Sequence, residues 1–135
     1  MAARQTKRIL LVDNDKMMLD ILKISLKGSG YKLLAANDGQ QAMQAVQEQL
    51  PDLIILEFML PVIDGLRFLR WLRNEQQSAL PVMVLTALDR PGVYDTVTSL
   101  GVAEPVYKPI SRKELLRRVK KLMRTPQAAR AAASG

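Results

Sequence analysis

The chain has 135 residues, 48% hydrophobic and 24% charged, enough for one domain with a real core and too few for two ordinary ones. It contains no cysteine and no histidine, which excludes a disulfide framework, thiolate chemistry, the commonest general base and the commonest transition-metal ligand. The net charge of +7 is uneven: residues 1–111 hold twelve Lys/Arg against twelve Asp/Glu, while residues 112–135 hold eight against one, Glu114.

The N-terminus, MAARQTKRIL, is basic and leads straight into a short strand, with no signal-peptide apolar region or cleavage site. Residues 7–12 form that strand, an apolar run (Ile9 to Val12) followed by Asp13, Asn14 and Asp15. Met17, Met18, Ile21, Leu22, Ile24 and Leu26 recur at helical spacing, and Gly28 and Gly30 stop the helix. Tyr31 to Ala35 reads as a second strand. Asp38 is placed to cap a helix through Gln49, with Ala42, Met43, Ala45, Val46 and Leu50 facing inwards.

The central stretch, Pro51 to Gly65, reads PDLIILEFMLPVIDG. Its apolar run, Leu53 to Leu56, is bounded by turn signals, the signature of a strand buried on both faces, and the strand ends in Glu57. Asp64 and Gly65 then open a helix carrying Leu66, Phe68, Leu69, Trp71 and Leu72. Pro81 to Thr86 is a fourth strand, Arg90 to Leu100 a helix rich in Thr and Val, and Val102 to Lys108 a fifth strand. Ser111 caps the last helix, with Glu114 three residues on as a capping box and Leu115, Leu116, Val119, Leu122 and Met123 as the apolar stripe. Thr125-Pro126 ends that helix, and Gln127 to Gly135 is expected to be a flexible tail of small residues. No apolar run approaches the roughly 18 residues a membrane helix needs, so a cytoplasmic protein is expected, with no membrane partner.

Strands and helices alternate five times, which predicts an α/β fold: a parallel sheet with helices on both faces, joined by right-handed crossovers. In such a sheet the strand ends gather at one edge, where ligands bind. Asp13, Asn14, Glu57, Thr86 and Lys108 all lie just past apolar runs. Carboxylate and amide oxygens suit a hard cation such as magnesium, and the hydroxyl and ammonium suit phosphoryl oxygens. Any one of these residues is explained by the core ending there; all of them together, at these spacings, are not.

The combination resembles the bacterial response-regulator receiver domain. The matching residues are Val12-Asp13, Ala36 to Gly39, Pro51-Asp52, Met59-Leu60-Pro61, Asp64-Gly65, Pro81 to Thr86-Ala87, Leu100-Gly101 and Lys108-Pro109. The resemblance covers roughly residues 7–124. It implies a flavodoxin-like, doubly wound five-stranded sheet of order 2-1-3-4-5, and a cis Lys108-Pro109 peptide. It places the phosphoacceptor at Glu57, the phosphoryl pocket at Thr86 and Lys108, and magnesium at Asp13, Asn14, Glu57 and the backbone carbonyl of Met59.

The chain departs from the family pattern at three points. The phosphoacceptor is Glu57 rather than aspartate. The second acid of the magnesium pair is Asn14; Asp15 stands one residue too far along. The switch aromatic, three residues before the lysine, is Pro105, with Tyr107 two residues later on the same side of a regular strand. Asn14 removes a negative charge, so magnesium binding is expected to be weak or absent. Glu57 displaces the nucleophile, and misplacement by about 1 Å costs on the order of 100-fold in rate. Two readings of Glu57 stay open: a stand-in for a phosphoryl oxygen that holds an active-like state, or a plain buried ion pair with Lys108.

Arg112, Lys113, Arg117, Arg118, Lys120, Lys121 and Arg124 line the last helix outside its apolar stripe. Such clusters can bind phosphate backbones, but there is no DNA-binding motif and aromatics are only 4%, so nucleic acid is an unlikely partner, and a solvated basic face or a docking surface for an acidic protein is favoured.

The expectation is therefore an atypical receiver, or pseudo-receiver. Residues 1–124 would form the domain, with residues 125–135 a tail or linker, and the domain would act without phosphorylation through protein–protein contact. It would have no enzymatic activity. A histidine kinase or an output domain is the expected partner, and a homodimer is left open. A working magnesium-dependent phosphoacceptor and a nucleic-acid binder are the alternatives.

Overall fold

In the computed structural model, residues 6–60, 63–87, 92–103 and 105–124 are described. Ten elements alternate: β1 (Arg8–Val12), α1 (Lys16–Leu26), β2 (Lys32–Ala36), α2 (Gly39–Glu48), β3 (Leu53–Leu56), α3 (Gly65–Arg70), β4 (Val82–Thr86), α4 (Val93–Ser99), β5 (Val106–Tyr107) and α5 (Arg112–Met123). The five strands form one sheet of order β2-β1-β3-β4-β5. Every pairing is parallel, with Ile9 opposite Leu53, Ile54 opposite Val82 and Leu85 opposite Val106. This is the flavodoxin-like arrangement implied by the sequence, and Lys108-Pro109 is cis.

The apolar runs of the central strands are fully buried because successive side chains point to opposite faces and both faces are covered. Leu10, Val12, Ile54, Leu56 and Val84 pack with Ala42, Val46, Phe68, Leu69, Leu72 and Val97 of α2, α3 and their neighbours. Ile9, Leu11, Leu53, Ile55, Met83 and Leu85 pack with Leu19, Leu22 and Leu26 of α1 and Leu115 and Val119 of α5. Among the described residues no helix is long and apolar enough to cross a membrane.

Four local expectations are corrected. In α1, Met17 (70% exposed), Ile21 (48%) and Ile24 (70%) face outwards, and the inward stripe is Leu19, Leu22 and Leu26. Apolar residues are so dense in this helix that two stripes satisfy the helical period, and only packing against β1 and α5 selects one. Leu50 is 60% exposed, because α2 has ended and the chain is turning into β3. The fifth strand is far shorter than Val102 to Lys108: Val102 donates its amide to Val97 and so belongs to the end of α4, and Pro105 has no N–H to give the sheet. The α3 helix does not run on regularly, since Trp71–Glu75 form a π-helical turn. The predicted stop at Thr125-Pro126, the tail and the first residues of the predicted Arg90 helix lie outside the described residues.

Candidate functional site

The strand ends deliver their polar groups to one edge. Asp13 follows β1, Glu57 follows β3, Thr86 ends β4 and Lys108 follows β5. Backbone bonds hold three of them in register: Asp13 N–H donates to Ala36, Glu57 N–H to Val12 and Lys108 N–H to Thr86. Asp13, Glu57 and Thr86 are buried, and all three are saturated or bridged by protein groups.

Lys108 is the bridge. Its Nζ lies 2.8 Å from Asp13 Oδ2 and 2.8 Å from Glu57 Oε1. Asp13 Oδ1 accepts the Asp15 amide at 2.9 Å, and Glu57 Oε2 accepts the Met59 amide at 3.1 Å. The Thr86 hydroxyl donates to the Glu57 carboxylate as well. Burial opposes ionisation of Glu57, but the hydrogen bonds from Lys108, Thr86 and Met59 outweigh it and hold the carboxyl below its ordinary range. Burial likewise opposes the Lys108 charge, and the bonds it donates to Asp13 and Glu57 overcome it, raising the ammonium above its ordinary value. At neutral pH the site is one cation clamped between two carboxylates.

Asn14, by contrast, is exposed and outside this network. The Asp15 side chain takes no part either: its Oδ1 accepts the Met17 amide and caps α1. That role was legible in the sequence, since an Asp immediately before an apolar-periodic run is a helix start. Pro105 is buried and precedes β5, whereas Tyr107 is 39% exposed, so the two do not present an equivalent face. Met59 was expected to matter through its carbonyl; the bond actually seen is from its amide to Glu57, which nothing in the sequence signals.

The donor set offers magnesium two carboxylates, one amide side chain and the Met59 carbonyl. One oxygen of each carboxylate is already neutralised by Lys108, and the amide brings no charge, so the set fits a strongly bound divalent cation poorly. Among the described residues there is no group of three or more Asp/Glu placed to hold a metal.

A five-stranded parallel sheet of this order, with an acid after β1, a carboxylate after β3, a hydroxyl on β4 and a lysine before a cis-proline, defines a class. Residues 9–120 match the response regulator receiver domain, and the chain belongs to that family. Within the family it is 36% identical over 125 residues to the alkaline phosphatase synthesis transcriptional regulatory protein PhoP of Bacillus subtilis, covering 91% of this chain and 51% of that protein. It is 39% identical over 120 residues to the DNA-binding response regulator MtrA of Mycolicibacterium smegmatis, covering 87% and 51%. The chain thus spans about half the length of these relatives. Among solved structures, the receiver domain of the Francisella response regulator 1452 superposes with a TM-score of 0.79 at 29% identity, covering 87% of this chain and 97% of that one.

Proposed function

We propose that this receiver domain is a pseudo-receiver: a signalling module that works through protein–protein contact without being phosphorylated. The observation that carries it is that Glu57 already receives both Thr86 and Lys108, the two donors that face phosphoryl oxygens in this family. A carboxylate held by those donors is a stand-in for the phosphoryl group rather than a free nucleophile. Asn14 and the Lys108 clamp support weak or absent magnesium binding, and Pro105 supports a switch without the usual aromatic.

The domain is residues 1–124, and residues 125–135 act as a tail or linker. The partner is a signalling protein, such as a histidine kinase or an output domain, engaged by the surface around β4, β5 and α5. On α5, Glu114 pairs with Arg117 and Arg118, while Lys113, Lys120, Lys121 and Arg124 have no ion pair among the described residues and suit an anionic partner. The 4% aromatic content gives little support to base stacking, which favours an acidic protein surface over nucleic acid.

The test is intact mass after incubation with acetyl phosphate and magnesium. The native chain is expected to gain no phosphoryl group, Glu57→Asp is expected to gain one, and adding Asn14→Asp to it should increase the yield by restoring the metal site. Labelling of the native chain on Glu57 would overturn the reading and make this a working receiver.

A further inference from the structure

A cavity of about 360 Å³ lies between α2 and α3, with none of Asp13, Glu57, Thr86 or Lys108 in its lining. Its volume is within the roughly 300–1,000 Å³ range of small-molecule sites. Its floor is apolar, with Met43 of α2 and Ile63, and its walls carry Arg67, Arg70, Trp71 and Glu75. Three features set it apart from an ordinary solvated groove.

Arg67 and Arg70 stand three residues apart on one helix and so share a face. Neither has an ion pair with a carboxylate among the described residues, whereas Arg117 and Arg118 of α5 do. Two unpaired guanidinium groups at one cavity mouth suit a planar or tetrahedral anion, which they can bind in forked geometry.

Trp71 is held from within. Its ring lies 5.8 Å from that of the fully buried Phe68, tilted by 34°. A half-buried, braced indole in a cavity wall is a stacking platform ready to meet a flat ring.

The wall is also where the helix is irregular. Trp71–Glu75 make the π-helical turn, a rare conformation that often marks functional positions. It is secured on its far side by Arg73, which donates to the Leu100 carbonyl at 2.7 Å and to the Ser78 carbonyl at 3.0 Å. The π turn therefore presents Trp71 and Glu75 to the cavity while its intervening arginine locks the backbone to the α4–β5 connection.

We propose that this cavity binds a small planar anion of the purine mononucleotide class. The base lies on Trp71, the phosphate is taken by Arg67 and Arg70, and Glu75 accepts from N–H groups at the edge of the base. No bond is made or broken; the site is a sensor site that shares no lining residue with the Glu57 cluster.

The chain has a single tryptophan, so its one indole N–H signal reports on this cavity without ambiguity. The experiment is a ¹H–¹⁵N NMR titration of the full chain with GMP, with guanosine and inorganic phosphate run separately. Saturable shifts are expected at the Trp71 indole and at the Arg67, Arg70 and Glu75 amides. Guanosine and phosphate alone should each bind at least about tenfold more weakly, since each keeps only half of the contacts. The exposed double variant Arg67→Ala/Arg70→Ala should keep the native spectrum and lose at least about tenfold in GMP affinity. Absence of saturable shifts, shifts centred on Lys108 instead, phosphate binding as tightly as GMP, or unchanged affinity in the double variant would each overturn the proposal.

Discussion

Glu57 is a longer side chain placed where the family has a shorter one, and its extra methylene decides which donors it meets. Both oxygens are committed, one to Lys108 and one to the Met59 amide. This has a pH signature. The folded-state value of Glu57 lies below its ordinary 4.5, so the stability it contributes is complete above pH 4.5 and is lost as pH falls through the depressed value. Lys108 lies above its ordinary 10.5, so its contribution is complete below pH 10.5 and is lost as pH rises through the raised value. The thermal midpoint should therefore hold a plateau between these limits and fall on both sides. Scanning calorimetry of Glu57→Gln should show a shallower acid limb, because that variant has no carboxyl to protonate at this position. Lys108→Ala should cost about 3 kcal/mol in urea unfolding, because it leaves two buried carboxylates facing each other without their cation.

At the scale of elements, helix starts were readable, and so were the inward faces of α2, α3 and α5; the face of α1 was not. Asp15, Asp38, Asp64 and Ser111 each accept a backbone amide at the head of a helix, and three of these were named from sequence as helix-opening residues. Only half of the predicted capping box on α5 forms. Ser111 Oγ accepts the Glu114 amide at 3.1 Å, but the Glu114 carboxylate turns to Arg117 and Arg118, which hold it down to about 2. Ser111→Ala is thus expected to cost about 1 kcal/mol by chemical denaturation, and Glu114→Ala much less. Gly65 meets a different constraint. A Cβ there would sit 2.6 Å from the Phe58 carbonyl oxygen, to which the Gly65 amide donates at 2.9 Å. Such close approach is why the turn after β3 ends in glycine.

For the whole molecule, the period-2 alternation of the strands and the period-3.6 stripes of the helices meet in two apolar layers, one on each side of the sheet. The partition of inside from outside can be tested directly. Phe68→Ala should cost about 3–5 kcal/mol, since Phe68 is fully buried and also braces Trp71. Ile24→Ala, an apolar residue at helical spacing that the fold leaves exposed, should change stability by less than about 0.5 kcal/mol. Equal losses at both positions, measured by urea unfolding, would contradict the packing described. The amino-acid sequence by itself determined the element order, the parallel sheet and the gathering of Asp13, Glu57, Thr86 and Lys108 at one edge. Those follow from local periodicity and from the rule that parallel strands end together. Only the tertiary structure decided which stripe of α1 is buried, how short β5 is, that α3 ends in a π turn, and which oxygen of each carboxylate Lys108 takes. The α1 stripe and the Lys108 bridge depend on contacts between residues far apart in the chain, of which local spacing carries no record, while β5 is cut short by Val102 bonding back to Val97 and by Pro105 lacking an N–H.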